Sequence, residues 1–376
     1  MSNAIKLFSF RGIDIRVHIT FPLILIWAAI QFGIVGRRGI QGAVFGVVVT
    51  LILFAIVLLH ELGHSIAAQH YKIAVKEIVL LPIGGVAQLS KIPEQPIKEL
   101  VIAAAGPLVN FGIAIVLGLL LLLFNFDVGL GDLPLTMRSL ARASTSSIFA
   151  YVFISNILLA VFNLLPAFPL DGGRILRALL ATRLSYSRAT AIAVSIGQGM
   201  AWLLGLWGLL GGGFFMVVVA LFILVGASQE GQVIRIRRVF DGLRVEQAYS
   251  RSVETLAPDS TLRQAVALTL QSFQSDFPVC EGEKLVGLLT HTKLMEAINR
   301  NSPDTFIGLV MDTEIPGVEV RDGLFDVQQQ LADLNVDALP VLEDGMFLGL
   351  ITSRDLNEAY RFLSKRPDLL TANQAA

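Results

Sequence analysis

His60, Glu61 and His64 form a His-Glu-x-x-His pattern inside a strongly apolar stretch of the sequence. Histidines four residues apart on a helix share one face, about one turn apart, so both imidazoles can bind one zinc ion. Glu61 lies beside them and can act as a general base toward an activated water molecule. Ionisable residues are costly inside a bilayer and usually mark a functional site. These residues therefore predict zinc-dependent hydrolytic chemistry within a membrane.

A hydrolytic zinc site normally has three protein ligands and one open position, so a third ligand is expected. Asp171 is the best candidate, in the sequence NLLPAFPLDGG that follows the fourth apolar segment. Prolines interrupt the helix before it, and Gly172 and Gly173 would allow a sharp turn that points Asp171 back into the helix bundle. The alternative is a helix-capping aspartate in a surface loop. The other histidines are less well placed as ligands: His18, His70 and His291.

The composition indicates a polytopic membrane protein. Of 376 residues, 54% are hydrophobic and only 16% are charged, and the mean hydropathy is +0.68. The net charge of −1 gives no basic field of the kind that nucleic-acid-binding proteins use. The single cysteine, Cys280, excludes an intrachain disulfide framework and a thiolate-rich metal site, and its apolar neighbours predict a packing role.

About six apolar segments are long enough, or nearly so, to cross a bilayer. Fourteen Lys and Arg residues fall on one side of these segments and four on the other, which predicts that both termini are cytoplasmic. Gly211 to Gly213 would form a tight hairpin between the last two segments. The six predicted spans are 18–35, 43–70, 99–124, 146–166, 189–209 and 213–228.

Beyond about residue 230 the sequence becomes more polar and repeats itself at a spacing of 62 positions, as in the pairs Gly287/Gly349 and Thr290/Thr352. Each copy reads strand, helix, strand, turn, strand, helix, which predicts a pseudo-symmetric soluble α/β pair. The expected fold is thus a polytopic α-helical membrane domain followed by this pair. The predicted boundaries are a membrane domain 1–230, a linker 231–243, repeats 244–302 and 303–366, and a flexible tail 367–376.

Three motifs together resemble the site-2 protease family of intramembrane zinc metalloproteases: HELGH at 60–64, AAGPLVN at 104–110, and the stretch from Asn163 to Gly173. The resemblance covers about residues 1–230. It implies one zinc ion per chain held by His60, His64 and Asp171, with Glu61 as catalytic acid and base. It also implies that Asn163 contacts the substrate or the developing oxyanion.

The resemblance implies an intramembrane endopeptidase that cleaves single-span membrane proteins within the lipid bilayer, in the cell membrane. A transmembrane substrate helix must unwind before attack, because its carbonyls are hydrogen-bonded internally. The strand-like segment 75–89, with Gly84 and Gly85 as its turn, could capture the unwound chain as an added strand. It could equally be a hairpin that only plugs the bundle. Polar residues on the third and fourth spans line a water path or form interhelical hydrogen bonds: Asn110, Ser155, Asn156 and Asn163.

The C-terminal half resembles a tandem CBS pair, a regulatory module that binds adenine nucleotides between its repeats. The family pattern Gly-apolar-apolar-Thr/Ser-x-x-Asp is complete at Gly349–Asp355, which implies nucleotide contacts from Thr352 and Asp355. The first repeat has Lys293 in place of the aspartate, where it would meet a phosphate. A dimerisation module that forms a homodimer without a ligand is the alternative.

Two other functions compete with the protease. A CBS-gated membrane metal-ion transporter would use the same four residues as a transit site, but it would tolerate an amide in place of Glu61. A catalytically inactive membrane scaffold is disfavoured because every expected catalytic position is intact.

Overall fold

A computed structural model of the chain describes residues 4–89, 95–124, 145–272, 274–282, 284–314 and 316–366. These residues divide into two compact units, Met1–Gly231 and Gln232–Ala376. The predicted tail 367–376, and the basic residues Lys91, Arg138 and Arg142 of the charge argument, lie outside the described residues.

The first unit is mainly helical. Its helices are α1 (Pro22–Ala29, continued by a π-helical segment Ile30–Val35), α2 (Gly39–His70), α3 (Pro96–Leu123), α4 (Thr145–Asn163), α5 (Asp171–Ala181), α6 (Tyr186–Trp207) and α7 (Phe214–Phe240).

All six predicted spans coincide with apolar helices of this unit. Among the described residues, four helical segments are long and apolar enough to cross a membrane, and two others are shorter, at Pro22–Val35 and Ile148–Asn163. Leu108, Ile115 and Leu122, seven residues apart on α3, are 64–75% exposed, which is the arrangement expected of a lipid-facing stripe. A helical membrane domain is therefore confirmed. The four long segments are Gly39–His70, Pro96–Leu123, Tyr186–Gly211 and Phe214–Phe240.

The glycine hairpin between the last two spans is also present. Gly211 and Gly213 have φ of 131° and 94°, values that favour glycine. The short helix α5, which begins at Asp171, was not predicted as a separate element.

A four-stranded sheet packs on this helical unit, and the sequence revealed only half of it. Its strands are β1 (Ala4–Phe10), β2 (Ile13–His18), β3 (Val75–Leu81) and β4 (Gly84–Leu89), in the order β1-β2-β3-β4. Ile13, Ile15 and Ile78 of the sheet share a core with Ala68 and Ile102 of the helices. The predicted turn at Gly84 and Gly85 is wrong: the turn is Pro82–Ile83, and both glycines belong to β4.

The second unit contains the two predicted repeats. The first has α8 (Leu262–Ser272), β5 (Phe277–Glu281), β6 (Lys284–Leu289) and α9 (His291–Arg300). The second has β7 (Val318–Glu319), α10 (Leu324–Leu334), β8 (Ala338–Glu343), β9 (Met346–Thr352) and α11 (Ser353–Leu363). The first repeat has only an isolated bridge, Leu256 to Val279, where the second has β7.

The segment predicted as a linker, 231–243, is helical as far as Phe240, because α7 continues through it. Phe240 is 2% exposed and belongs to the core of the second unit, with Val245 and Leu324. Cys280 is buried in β5, as its apolar neighbours predicted.

Candidate active site

The two histidines of the HELGH segment lie deep in the first unit. His60 and His64 are 4% and 8% exposed, on the same face of α2. Their Nε2 atoms are 3.1 Å apart. The same helix presents Glu61, which is half-buried.

Asp171 completes this arrangement. Its Oδ2 lies 3.1 Å from Nε2 of His60 and 3.2 Å from Nε2 of His64. Among the described residues, these three side chains are the only group of three His, Cys, Asp or Glu residues close enough to hold one metal ion. The structure therefore brings together three of the residues that the sequence singled out, across 107 positions between His64 and Asp171.

The way in which Asp171 reaches the site differs from the prediction. Asp171 is the first residue of α5, and Gly172 and Gly173 lie inside this helix rather than in a turn. A Cβ atom on Gly173 would come within 2.7 Å of the backbone of Ala167 and Phe168. The glycines thus let α5 pack against the loop that precedes it, and this close packing directs Asp171 toward α2.

The hydrogen bond made by His64 fixes the tautomer of its neutral ring. Its Nδ1 is 2.7 Å from the backbone oxygen of Ile102 on α3. A carbonyl can only accept, so Nδ1 carries a proton, and in the neutral ring Nε2 then presents its lone pair. An imidazole lone pair and a carboxylate oxygen, with a second imidazole nitrogen, therefore converge on one point.

This donor set fits zinc. Tetrahedral zinc with bonds of about 2.0–2.1 Å holds its ligand atoms roughly 3.3–3.4 Å apart, close to the observed spacing. Two imidazoles and one carboxylate are also a ligand set that catalytic zinc sites use, with a fourth position open to water. His60 Nδ1 is buried and has no hydrogen-bond partner in the part of the chain described.

Helix α3 crosses α2 at the histidine pair, and glycines permit the close approach. A Cβ atom on Gly106 would collide with both imidazoles, at 2.7 Å from Nε2 of His60. A Cβ atom on Gly63 of α2 would lie 3.0 Å from the oxygen of Ala105. In the sequence, Gly106 stood out only as part of a family motif, and no local pattern indicated its contact with the histidines.

Strand β4 packs directly on the predicted base. A Cβ atom on Gly85 would lie 2.7 Å from Cγ of Glu61 and 3.2 Å from a methyl group of Val57. Because β4 is the last strand of the sheet, its outer edge has no strand partner among the described residues. An extended peptide added to that edge would therefore run close to Glu61.

The structure places Asn163 at the C-terminal end of α4, half-buried. No side-chain hydrogen bond to it is present in the described ranges. Of the other polar residues proposed for a water path, Asn156 donates from Nδ2 to the backbone oxygen of Asn110 at 2.7 Å, an interhelical hydrogen bond. Asn110 and Asn156 are both fully buried.

Comparison with known proteins agrees with this geometry. The model of peptidase family M50 matches residues 48–130 and 128–204, and the CBS domain model matches 245–300 and 307–361. Zinc metalloprotease MJ0392 of Methanocaldococcus jannaschii is 34% identical over 373 residues, covering 98% of this chain and 99% of that protein.

The chain belongs to peptidase family M50. It is a zinc metalloendopeptidase of the site-2 protease type that carries two CBS domains. Stage IV sporulation protein FB of Bacillus subtilis is 29% identical over 158 residues, 42% of this chain and 49% of that protein. The solved structure of a site-2 protease from Methanocaldococcus jannaschii is 40% identical and covers 61% of this chain and 95% of that chain, with a TM-score of 0.44. The family membership favours the protease over the transporter and the inactive scaffold.

In the CBS pair, the residues that were predicted to bind a ligand form hydrogen bonds or ion pairs with other protein groups. Thr352 caps α11: its hydroxyl accepts from the amide of Asp355, and the Asp355 carboxylate accepts from the amide and hydroxyl of Thr352 at 2.9 and 2.7 Å. Asp355 also accepts from the Ser250 hydroxyl at 3.1 Å. Lys293 lies apart from them and pairs with Asp312 at 3.0 Å.

A cavity of about 550 Å³ lies within the second unit, and Thr352 and Asp355 line it but Lys293 does not. Four carboxylates surround this cavity, against one arginine and one histidine. The backbone amide of His291 donates to the buried carboxylate of Asp276 at 3.0 Å. The charged lining residues are Asp276, Asp337, Asp355, Glu358, Arg354 and His291.

Proposed function

We propose that His60, His64 and Asp171 bind one catalytic zinc ion and that Glu61 is the acid and base of peptide hydrolysis within a bilayer. The observation that carries this proposal is the convergence of Asp171 Oδ2 with the two histidine Nε2 atoms at 3.1–3.2 Å. Three electron-pair donors this close repel one another unless a proton or a metal cation lies between them, and a zinc ion satisfies all three at once.

The reaction can be divided among the residues of the site. When bound, zinc supplies a Lewis acid that polarises the scissile carbonyl and makes a water molecule acidic enough to react near neutral pH. Glu61 takes the proton from the attacking water and returns it to the nitrogen of the broken C–N bond. The free amide of Asn163 donates a hydrogen bond to the carbonyl oxygen as negative charge develops there.

The substrates are single-span membrane proteins whose helix has locally unwound. An unwound segment loses its internal hydrogen bonds, and in a bilayer each unsatisfied backbone group costs several kcal/mol. The free edge of β4 would replace these hydrogen bonds by adding the segment as a further strand. The contact of Gly85 with Glu61 supports this role over that of a passive plug, because it keeps the edge strand beside the base.

The excess of basic residues on one side of the spans supports a cell-membrane protein with both termini and the CBS pair in the cytoplasm. The cleaved substrate would then release its fragment toward that side.

The cavity of the CBS pair suits an adenosine compound that carries little negative charge. Its carboxylates outnumber its cations, and Lys293, the cation predicted to meet a phosphate, pairs with Asp312 outside the lining. Thermal-shift titration of the full chain in detergent should give an affinity order of adenosine above AMP above ATP. Tightest binding of ATP would contradict this charge argument.

The experiment that tests the protease is co-expression with candidate single-span membrane proteins, comparing wild type with Glu61→Gln. Glutamine cannot accept the proton of the attacking water, so cleavage should cease while zinc stays bound. A released fragment at wild-type level from Glu61→Gln would rule out Glu61 as the base.

A further inference from the structure

Arg177 is the largest fully buried side chain of the described chain, and its charge is unusual at such depth. It lies on α5 with 1% of its side chain exposed, in the unit that spans the membrane. The charge argument from the sequence placed it among the basic residues of a cytoplasmic loop. A buried charge is tolerated only when it is paired and hydrogen-bonded.

Two carboxylates from different helices pair with this guanidinium. Oε1 of Glu99, on α3, accepts from Nε at 2.8 Å and from Nη2 at 2.5 Å. Glu230, on α7, accepts from Nη1. Glu99 is 2% exposed, so this pair is almost completely shielded from solvent.

Aromatic rings cover the guanidinium as well. Its carbon lies 4.8 Å from the ring centre of Phe168, in the loop before Asp171, and 4.9 Å from that of Tyr186, at the start of α6. A planar guanidinium can stack its face on rings while it donates several hydrogen bonds in its plane, a combination that the compact ammonium of lysine does not offer. Arg177 thus connects its own helix, α5, to α3, α6, α7 and the loop before Asp171.

Of the helices joined in this way, α3 and α5 contribute directly to the metal site, and α7 touches the loop before Asp171. Glu99 lies three residues before Ile102, the residue whose carbonyl holds His64. Arg177 lies six residues after Asp171 on the same short helix. On α7, Gly226 packs against Pro169 one turn before Glu230, so this helix also touches the loop that leads to Asp171.

We propose that Arg177, held by Glu99 and Glu230, is a positioning residue that fixes Asp171 relative to His64 and so sets the affinity of the site for zinc. This inference rests on the proposed metal site. Changes to residues that orient metal ligands typically lower metal affinity by 10–100-fold. The ion triad acts through helix placement, so the lower end of that range applies.

The test compares zinc affinity in the full chain, purified in detergent, by competition with a chromophoric chelator. Glu230→Gln is the mildest variant because the Arg177–Glu99 pair remains, and it should weaken zinc binding by about tenfold. Arg177→Lys should weaken zinc binding at least as much, because lysine keeps the charge but loses the planar set of hydrogen-bond donors and the stacking on the aromatic rings. Arg183→Gln removes an exposed arginine just beyond α5 and should stay within about twofold of wild type.

Hydrogen exchange of the metal-free protein separates positioning from general stability. In Glu230→Gln the amides of 171–181 should exchange faster while those of α2 keep their wild-type rate. Wild-type zinc affinity in both Glu230→Gln and Arg177→Lys, with only a lower thermal midpoint, would overturn the positioning role. Wild-type affinity in an Asp171→Ala reference would instead overturn the metal site itself.

Discussion

The metal site and the CBS cavity both contain residues that complete motifs predicted, but the side chains of these residues make different contacts in the two regions. In the membrane unit, His60, His64 and Asp171 direct unshared electron pairs to one point. In the CBS pair, Thr352 and Asp355 use theirs on each other to begin α11. A motif therefore indicates a ligand site most strongly where the fold leaves its polar atoms unused.

The largest effect of a substitution on the metal site is expected at Gly106, because helices α2 and α3 cross there too closely for any side chain. Gly106→Ala places a methyl group among the histidine rings, so bound zinc and proteolysis should both fall below about a tenth of wild type, as for other disturbed ligand shells. Gly112→Ala is the matched control on α3, because its Cβ would meet nothing within 4 Å. Metal analysis and a cleavage assay measure both. Equal zinc in the two variants would show that the crossing does not shape the site.

A moderate effect is expected at Asp355 if its main role is structural. Asp355→Ala removes a capping box and should lower the free energy of unfolding of the CBS pair by about 1 kcal/mol even without any ligand. Lys293→Ala removes only a half-buried ion pair near the surface and should cost less than about 1 kcal/mol. Denaturant unfolding followed in the second unit measures both. Unchanged stability of Asp355→Ala with weakened adenosine binding would instead make Asp355 a ligand contact, as the family motif implies.

The smallest effect concerns pH. Burial raises the pKa of Asp276, the carboxyl that accepts from the His291 amide. The folded state then holds its proton to higher pH than the unfolded state, whose pKa is about 3.9. Stability should accordingly fall as pH rises above about 4 through the raised pKa. Asp276→Asn keeps an accepting oxygen and should lack this decline in thermal midpoint. Parallel pH profiles for the two proteins would contradict the assignment.

The sequence was informative where chemistry depends on residue type and local spacing. The His-x-x-x-His spacing needs only one helix, and the six apolar segments need only their own composition. Asp171 was identified because zinc requires a third ligand. The two N-terminal strands, β1 and β2, were missed because β2 pairs with β3 across about sixty residues.

Contacts between distant helices could not be predicted in this way. Gly106 and Gly112 lie on the same apolar helix, and the family motif around Gly106 does not name what it touches, yet only Gly106 of the two contacts the histidines. Arg177 resembled a loop cation because its partners, Glu99 and Glu230, are 78 and 53 residues away. The glycines after Asp171 and those of β4 suggested turns, but Gly172, Gly173 and Gly85 serve close packing, which a sequence does not distinguish from a turn.

The zinc content of purified Asp171→Ala, beside wild type and Glu61→Gln, tests the central claim most directly. Wild type and Glu61→Gln should each hold one zinc ion per chain, because both keep all three ligands. Asp171→Ala should lose most of its zinc after dialysis against a mild chelator, since only two histidines remain. Wild-type zinc content in Asp171→Ala would contradict the account, because the convergence of Asp171 with His60 and His64 would then have no metal to explain it.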